Sequence, residues 1–347
     1  MQKITLSIIL TLNILTYAFA ATRQEDGVLK TYWKNGALCS EISYRDGLKN
    51  GPQRLYYPDG SLVLVINYNN DLREGQAKYY YENGQVKAEE YYLADRLEGV
   101  SRYYYKDGTL RSEDSYKSGL RDGQRRIYDH KGELILQITY KDNKRNGPTL
   151  YYYIGRKTII SQVGSSSGIS RQGVRAEVNY KGNFREGVAK YYSEDGRLNT
   201  EESYLAGKLN GEVKEYYPGG AIKSNIPYKD NKREGIGRYY YEDGHLMREQ
   251  GYLEDFSEGP NKNYYNNGKL KSQQFLIKGR LEGVGLFFYE SGKTRIEIYY
   301  HQGWADGLTR FYYESGEIES EGYFQRGKLS GEWAFYDKNG NKIASYK

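Results

Sequence analysis

The chain has 347 residues, of which 38% are hydrophobic and 41 are tyrosine, and 51 bases against 45 acids leave a net charge of +6. So balanced a charge argues against a nucleic-acid binder, which gathers its positive side chains on one face or stripe. A single cysteine, Cys39, excludes a disulfide framework, argues against a thiol metal site and reads as a small strand residue.

Residues 1–20 read as a cleavable signal peptide. Lys3 precedes the short apolar run Ile4 to Tyr17, and Ala18-Phe19-Ala20 is a small-x-small cleavage signal. The cut falls after Ala20, and the mature chain is expected to be secreted or periplasmic.

From Gly27 the sequence repeats every 24 residues. Glycines stand at 27, 51, 75, 99, 123 and 147, and again at 187, 211, 235, 259, 283, 307 and 331. A second glycine follows nine positions later in nearly every unit, as at Gly36, Gly84 and Gly244, and an aromatic follows five positions later, as at Tyr80, Tyr104, Tyr192 and Tyr240. Thirteen units result, the last cut short. A fixed period of this length signals a repeat architecture in which each unit stacks on its neighbours.

Within a unit, two strand-like runs flank Asn-Gly or Asp-Gly, as at Asn83-Gly84, Asp107-Gly108 and Asp243-Gly244. These pairs tolerate positive φ at both centres of a two-residue hairpin turn, so each unit is expected to be a β-hairpin. The fold class is all-β: an elongated antiparallel β-meander of tandem hairpins, solenoid-like, in a single twisted sheet. The second turn, such as Ala94 to Gly99, reads as a longer connection.

A two-residue turn at Asn83-Gly84 sets Glu82 opposite Gln85, Tyr81 opposite Val86, Tyr80 opposite Lys87, Tyr79 opposite Ala88 and Lys78 opposite Glu89. The same offsets place opposite charges face to face at Lys30 and Glu41, Arg102 and Glu113, Lys190 and Glu201, Arg238 and Glu249, and Arg310 and Glu321. Such pairs discourage slipped registers more than they stabilise. One face then carries Lys78, Tyr80, Lys87 and Glu89. The other carries Tyr79, Tyr81, Val86, Ala88 and Tyr92, with Tyr103, Tyr105, Leu110, Tyr116, Tyr239, Tyr241, Leu246 and Tyr252 at matching positions. This second face is the more apolar and should be the packed one. No helical period offers a covering layer, so the sheet must curl or pack its own long side chains.

The array breaks once. Residues 155–173, with Gly164-Ser165-Ser166-Ser167-Gly168 at their centre, read as an irregular Gly/Ser-rich insertion between six units (27–154) and seven (174–347). The last unit, with Trp333, Phe335, Tyr336 and Ile343, reads as a terminal cap.

The pattern G-x-x-x-[YF]-[YF]-x-x-[ND]-G-x-[LIV], closed by a second turn ending in [ED]-G, resembles the bacterial variant of the MORN repeat, as in antitoxin-like chains of the YwqK type. The resemblance spans 27–347 apart from the insertion. It implies an antiparallel meander and an interaction scaffold, with phospholipid binding or immunity against a toxin as family possibilities.

No catalytic constellation stands out. His130, His245 and His301 occupy different repeat positions, and the carboxylates alternate with bases rather than with one another. No cofactor or metal is expected. What remains is a surface: a ladder of bases beside the repeated aromatics, represented by Lys78, Tyr80, Arg102, Tyr104, Lys190, Tyr192, Arg238 and Tyr240. The expected function is a non-catalytic exported scaffold that binds a protein partner along this ladder or at edge strands, immunity-like in the family's manner. The alternative is a module for cell-wall polysaccharide or an anionic phospholipid surface. Wall-binding repeats rely on tryptophan, and only Trp33, Trp304 and Trp333 occur.

Overall fold

The computed structural model describes residues 25–155 and 173–346. The expected signal peptide, 1–20, and nearly all of the 155–173 insertion lie outside the described residues. Two compact units form, one ending at Glu98 and the other starting at Gly99. Each is an open antiparallel sheet in which successive strands pair in chain order, and no helix occurs among the described residues.

In the first unit, the strand Gly75–Tyr80 pairs with Val86–Leu93. The expected contacts Tyr79 with Ala88 and Lys78 with Glu89 are present. The turn that closes the hairpin is different. Tyr81 N donates to Gln85 O at 2.8 Å and Gly84 N donates to Tyr81 O at 2.9 Å, so the loop holds three residues, Glu82-Asn83-Gly84. Only Gly84 is left-handed (φ 82°), while the Asn83 carboxamide accepts from Gln85 N at 3.2 Å. The expected pairs of Glu82 with Gln85, Tyr81 with Val86 and Tyr80 with Lys87 are therefore absent, and Tyr80 pairs with Val86. A bulge between Tyr79 and Tyr80 absorbs the extra residue and restores the register below it.

The bulge also changes the faces. Lys87 reaches over the Tyr81 ring, 5.7 Å from its centre, instead of joining Lys78. Val86 and its equivalents Leu110 and Leu246 move to the ladder face, opposite the repeated aromatic. In the second unit this places Leu134 with Leu150, Tyr152, Val174 and Tyr192 in one buried cluster.

Two-residue turns with positive φ at both centres do occur, but at the second connection. Ala94 and Asp95 have φ of 45° and 65°, and Leu93 pairs with Arg96 directly. Consecutive hairpins are latched at both sheet margins. Asp95 accepts from Arg73 N at 2.9 Å and Glu74 accepts from Ala94 N at 2.9 Å. At the other margin the Tyr57 hydroxyl donates to Tyr80 O at 3.3 Å. In the second unit Asn143, Glu186 and Tyr241 make the corresponding bonds at 2.8, 2.9 and 2.9 Å. Thus where Glu precedes the unit glycine, as at Glu74, Glu186, Glu258 and Glu282, it has a physical reason: it caps the following turn.

On the tyrosine face the centre is filled by small residues with rings laid across them. Ala77 is buried beside Ile66 and Tyr92 in the first unit, and Ala176, Val178 and Ala189 form the matching cluster in the second. At Gly285 even a methyl group would come within 2.7 Å of the Tyr300 ring. The face closes over itself by this ring-on-small-residue packing, without a second layer among the described residues.

The strands on either side of residues 155–173, Lys144–Tyr152 and Val174–Lys181, pair directly with each other, Tyr151 opposite Ala176.

Candidate interaction face

The eight expected surface residues sit on the ladder face, and what surrounds them decides their availability. Lys78 contacts Glu89 at 2.9 Å, Arg102 contacts Glu113 at 3.1 Å, Lys190 contacts Glu201 at 3.5 Å and Arg238 contacts Glu249 at 3.2 Å. Glu113, Glu201 and Glu249 also face a base on the next hairpin, as Glu41 does in the first unit. Glu41 lies between Lys30 at 3.1 Å and Arg54 at 3.7 Å, and Glu113 between Arg102 and Arg126, the latter at 3.5 Å. The repeated tyrosine of that next hairpin adds a hydroxyl donor: Tyr56 to Glu41 at 3.0 Å, Tyr128 to Glu113 at 3.2 Å, Tyr216 to Glu201 at 2.7 Å and Tyr264 to Glu249 at 3.1 Å.

The protonation behaviour follows. Hydrogen bonding to Glu89 holds the Lys78 ammonium above its ordinary range, and Lys30 with Tyr56 holds Glu41 below the usual carboxylate range. Burial, then the bond to Glu201, pushes Tyr216 up to about 12. The ladder is thus neutralised from within and is not a stripe of free positive charge. Tyr80, Tyr104 and Tyr240 are half-buried, while Tyr192 is only 3% exposed, inside the Leu134 cluster. Tyr192 therefore offers no surface, because the bulge brings Leu-type residues against that ring.

The opposite face carries a second alternation of charge and ring. Arg73 stacks over Tyr92 at 4.1 Å and is fixed by Asp95 at 2.8 Å; Arg233 stacks over Tyr252 at 4.4 Å and pairs with Asp255 at 3.3 Å. A guanidinium over a ring adds about 0.5–1 kcal/mol at exposed sites. An open cleft of about 340 Å³ lies on the second unit, bordered by Tyr241, Tyr265, Lys271, Phe287 and Arg295.

The histidines have separate local contacts. His130 stacks on Tyr105 at 3.8 Å, His245 lies 3.2 Å from Asp243 and His301 lies 2.8 Å from Glu282. Among the described residues no group of three or more His, Cys, Asp or Glu could hold a metal ion.

What the repeat pattern alone did not single out is a run of exposed apolar residues beside the ladder in the second unit. Phe275, Tyr299 and Tyr323 lie on the ladder face opposite Pro260, Val284 and Leu308. In earlier repeats of the same unit that position holds Ser115, Thr139, Asn179, Ser203, Pro227 and Gly251. The signal was present as a departure from the repeat, sixteen residues after each unit glycine.

The MORN repeat variant model matches ten segments, residues 25–46, 49–70, 73–94, 97–118, 121–142, 185–206, 209–230, 257–277, 281–302 and 305–326. The MORN repeat model matches residues 228–246. No curated protein is significantly similar in sequence. Among solved structures, the crystal structure of TcdB2-TccC3 matches at 13% identity, and TcdB2-TccC3 without its hypervariable C-terminal region at 12%. Each match covers 92% of this chain and has a TM-score of 0.18, too low to imply a common architecture. This chain spans 18% of the length of those chains. The ten variant matches fall on the hairpins whose glycines, paired aromatics and turns were described above, and the chain belongs to the MORN repeat variant family.

Proposed function

We propose that this repeat scaffold is exported, non-catalytic and built to hold a protein partner on its open sheet. The observation that carries the reading is the exposure of large apolar side chains on a sheet with no covering layer among the described residues, Phe256 and Trp304 at 63% and 60% among them. Patches of this kind mark interaction sites. A non-catalytic role is supported by the ladder carboxylates, each spent on a base or a tyrosine hydroxyl. Catalytic acids need the reverse, a carboxyl pushed away from compensating charge. Export is supported by Lys3, the apolar run after it and Ala18-Phe19-Ala20. The resemblance to antitoxin-like chains makes an immunity protein one form of such a scaffold.

Affinity capture with the chain 21–347 from envelope fractions tests the reading. A stoichiometric protein partner is expected. Recovery of polysaccharide or lipid alone overturns it, and an intact N-terminus on cytoplasmic chain overturns export.

A further inference from the structure

Resting on that reading, we infer that the ladder face of repeats 246–328 is a docking site for an amphipathic helix of the partner, apolar along one stripe and acidic along one flank. Six side chains define the floor: Phe256, Phe275, Ile277, Tyr299, Trp304 and Tyr323, all 44–63% exposed. Strand pairing makes them neighbours. Phe256 stands opposite Leu253, Ile277 opposite Arg280, and Trp304 opposite His301, one row outward from Phe275, Tyr299 and Tyr323. Five are aromatic. At about 200 Å² per ring side chain and about half exposure, these five alone offer on the order of 500 Å². That already equals the largest patch on an ordinary monomer, and the aliphatic neighbours bring it toward the roughly 800 Å² that a stable interface takes from each side.

The floor has a direction. It runs across six successive strand positions, from Phe256–Tyr264 to Ile318–Gln325, with Arg280–Leu281 and Gly283–Phe288 sharing one. Five strand spacings give about 24 Å, the length of an α-helix of about 16 residues. A helix laid across the strands therefore covers the whole floor with between four and five turns.

Charge fixes which helix. Lys278, Arg280, Arg326 and Lys328 are exposed along the turn margin and make no ion pair among the described residues. The carboxylates at that margin, Asp306 aside, are engaged. Asp255 pairs with Arg233 at 3.3 Å and Glu254 with Lys232 at 3.7 Å, while Glu282 and Glu258 are half-buried and turned onto backbone amides, Gln302 N at 2.9 Å and Lys278 N at 2.7 Å. The exposed, unpaired side chains on this flank are therefore bases, with the unpaired carboxylates half-buried beneath them, and the partner's facing flank must be acidic. The other flank is the ladder, where Glu249, Glu297 and Glu321 alternate with Arg238 and Arg310. A bilayer of anionic lipid favours basic residues on every margin, and these glutamates oppose it. A helix with one acidic and one mixed flank fits both margins.

The test uses the chain 21–347 and three probes: a 20-residue helical peptide with a leucine stripe and a glutamate flank, its twin with lysine in place of glutamate, and phosphatidylcholine–phosphatidylserine vesicles. The acidic peptide is expected to bind at least tenfold more tightly than its twin. Phe275→Ser with Tyr299→Ser should weaken it at least tenfold while the chain stays folded, with a cooperative if earlier urea transition, because both side chains are only about half buried. Arg280→Glu with Lys328→Glu should reverse the preference between the peptides. Equal binding of the two peptides, an unchanged preference in the charge-reversed chain, or binding to vesicles alone overturns the inference. If a captured partner still binds the Phe275→Ser, Tyr299→Ser chain, the docking site is refuted while the scaffold reading stands.

Discussion

Replacing Asn83 and Ala94 by glycine, one at a time, moves stability in opposite directions, and the signs report which connection is the two-residue turn. Ala94 is held at φ 45°, where an L-residue with a Cβ is strained by about 1–2 kcal/mol. Glycine removes that strain but makes the unfolded chain freer by about 0.4–1 kcal/mol, so Ala94→Gly should stabilise by about 0.5–1 kcal/mol. Asn83 is not left-handed, and its carboxamide accepts from Gln85 N at 3.2 Å. Asn83→Gly relieves nothing, loses an acceptor and frees the unfolded chain, and should cost about 1 kcal/mol. A two-residue turn at Asn83-Gly84 would invert both signs. Arrays of repeats open locally, so the assay is native-state hydrogen exchange of the Tyr81 and Asp95 amides, which donate to Gln85 O at 2.8 Å and Arg73 O at 3.0 Å. A difference of 1 kcal/mol changes exchange about fivefold. Faster exchange in Ala94→Gly, or slower exchange in Asn83→Gly, refutes the turn assignment.

Three further outcomes follow from the packing and the ladder. Gly285→Val should destabilise by about 1–3 kcal/mol in urea unfolding, because its Cβ would stand 2.7 Å from the Tyr300 ring; Gly285→Val with Tyr300→Ala should recover part of that loss. Glu249→Gln removes the charge that pairs with Arg238 and leaves one neutral amide oxygen to accept from Arg238 or the Tyr264 hydroxyl, and should cost only about 0.5–1 kcal/mol, since Arg238 is half exposed; a larger loss would mean the ladder is structural rather than a register device. Tyr216 has a folded-state pKa raised to about 12. Below the ordinary tyrosine value its protonated form contributes full stability, and that contribution is lost as pH rises from about 10 through 12. Alkaline unfolding should accordingly be shallower between those values in Tyr216→Phe; identical profiles would show that burial does not hold this phenol neutral.

The repeat, the strands and the ion-pair partners were legible because each leaves a periodic mark. Glycines recur at 24-residue steps, and the opposite signs of Lys78 and Glu89 recur at Lys30 and Glu41, Arg102 and Glu113, Lys190 and Glu201, Arg238 and Glu249, and Arg310 and Glu321. The turn type was not legible for a specific reason. Asn-Gly suits a two-residue turn, and it equally suits a three-residue loop with only the glycine left-handed. The two choices differ by one residue of register, and the bulge beside Tyr80 cancels that difference before Tyr79 is reached. Correct ion pairs therefore hid an incorrect turn, and with it the transfer of Val86 to the ladder face. Tyr192 was misplaced by the same step, since the residues that bury it, Leu134 and Val174, arrive on that face only through the bulge and its counterpart.

The same contrast bears on where affinity resides. A ladder whose glutamates already hold a base and a phenol, and at Glu41 and Glu113 two bases, has little to give a partner, because breaking those contacts would cost about what new ones return. The periodic residues thus build the sheet and fix its register. Partner choice falls to the positions that leave the period: serine, threonine or asparagine at Ser115, Thr139, Asn179 and Ser203 becomes phenylalanine or tyrosine at Phe275, Tyr299 and Tyr323. These rings lie on a rigid floor, need no existing contact broken, and gain about 25 cal/mol for each Å² covered. A repeat protein of this kind is read for its fold by what recurs and for its binding site by what does not.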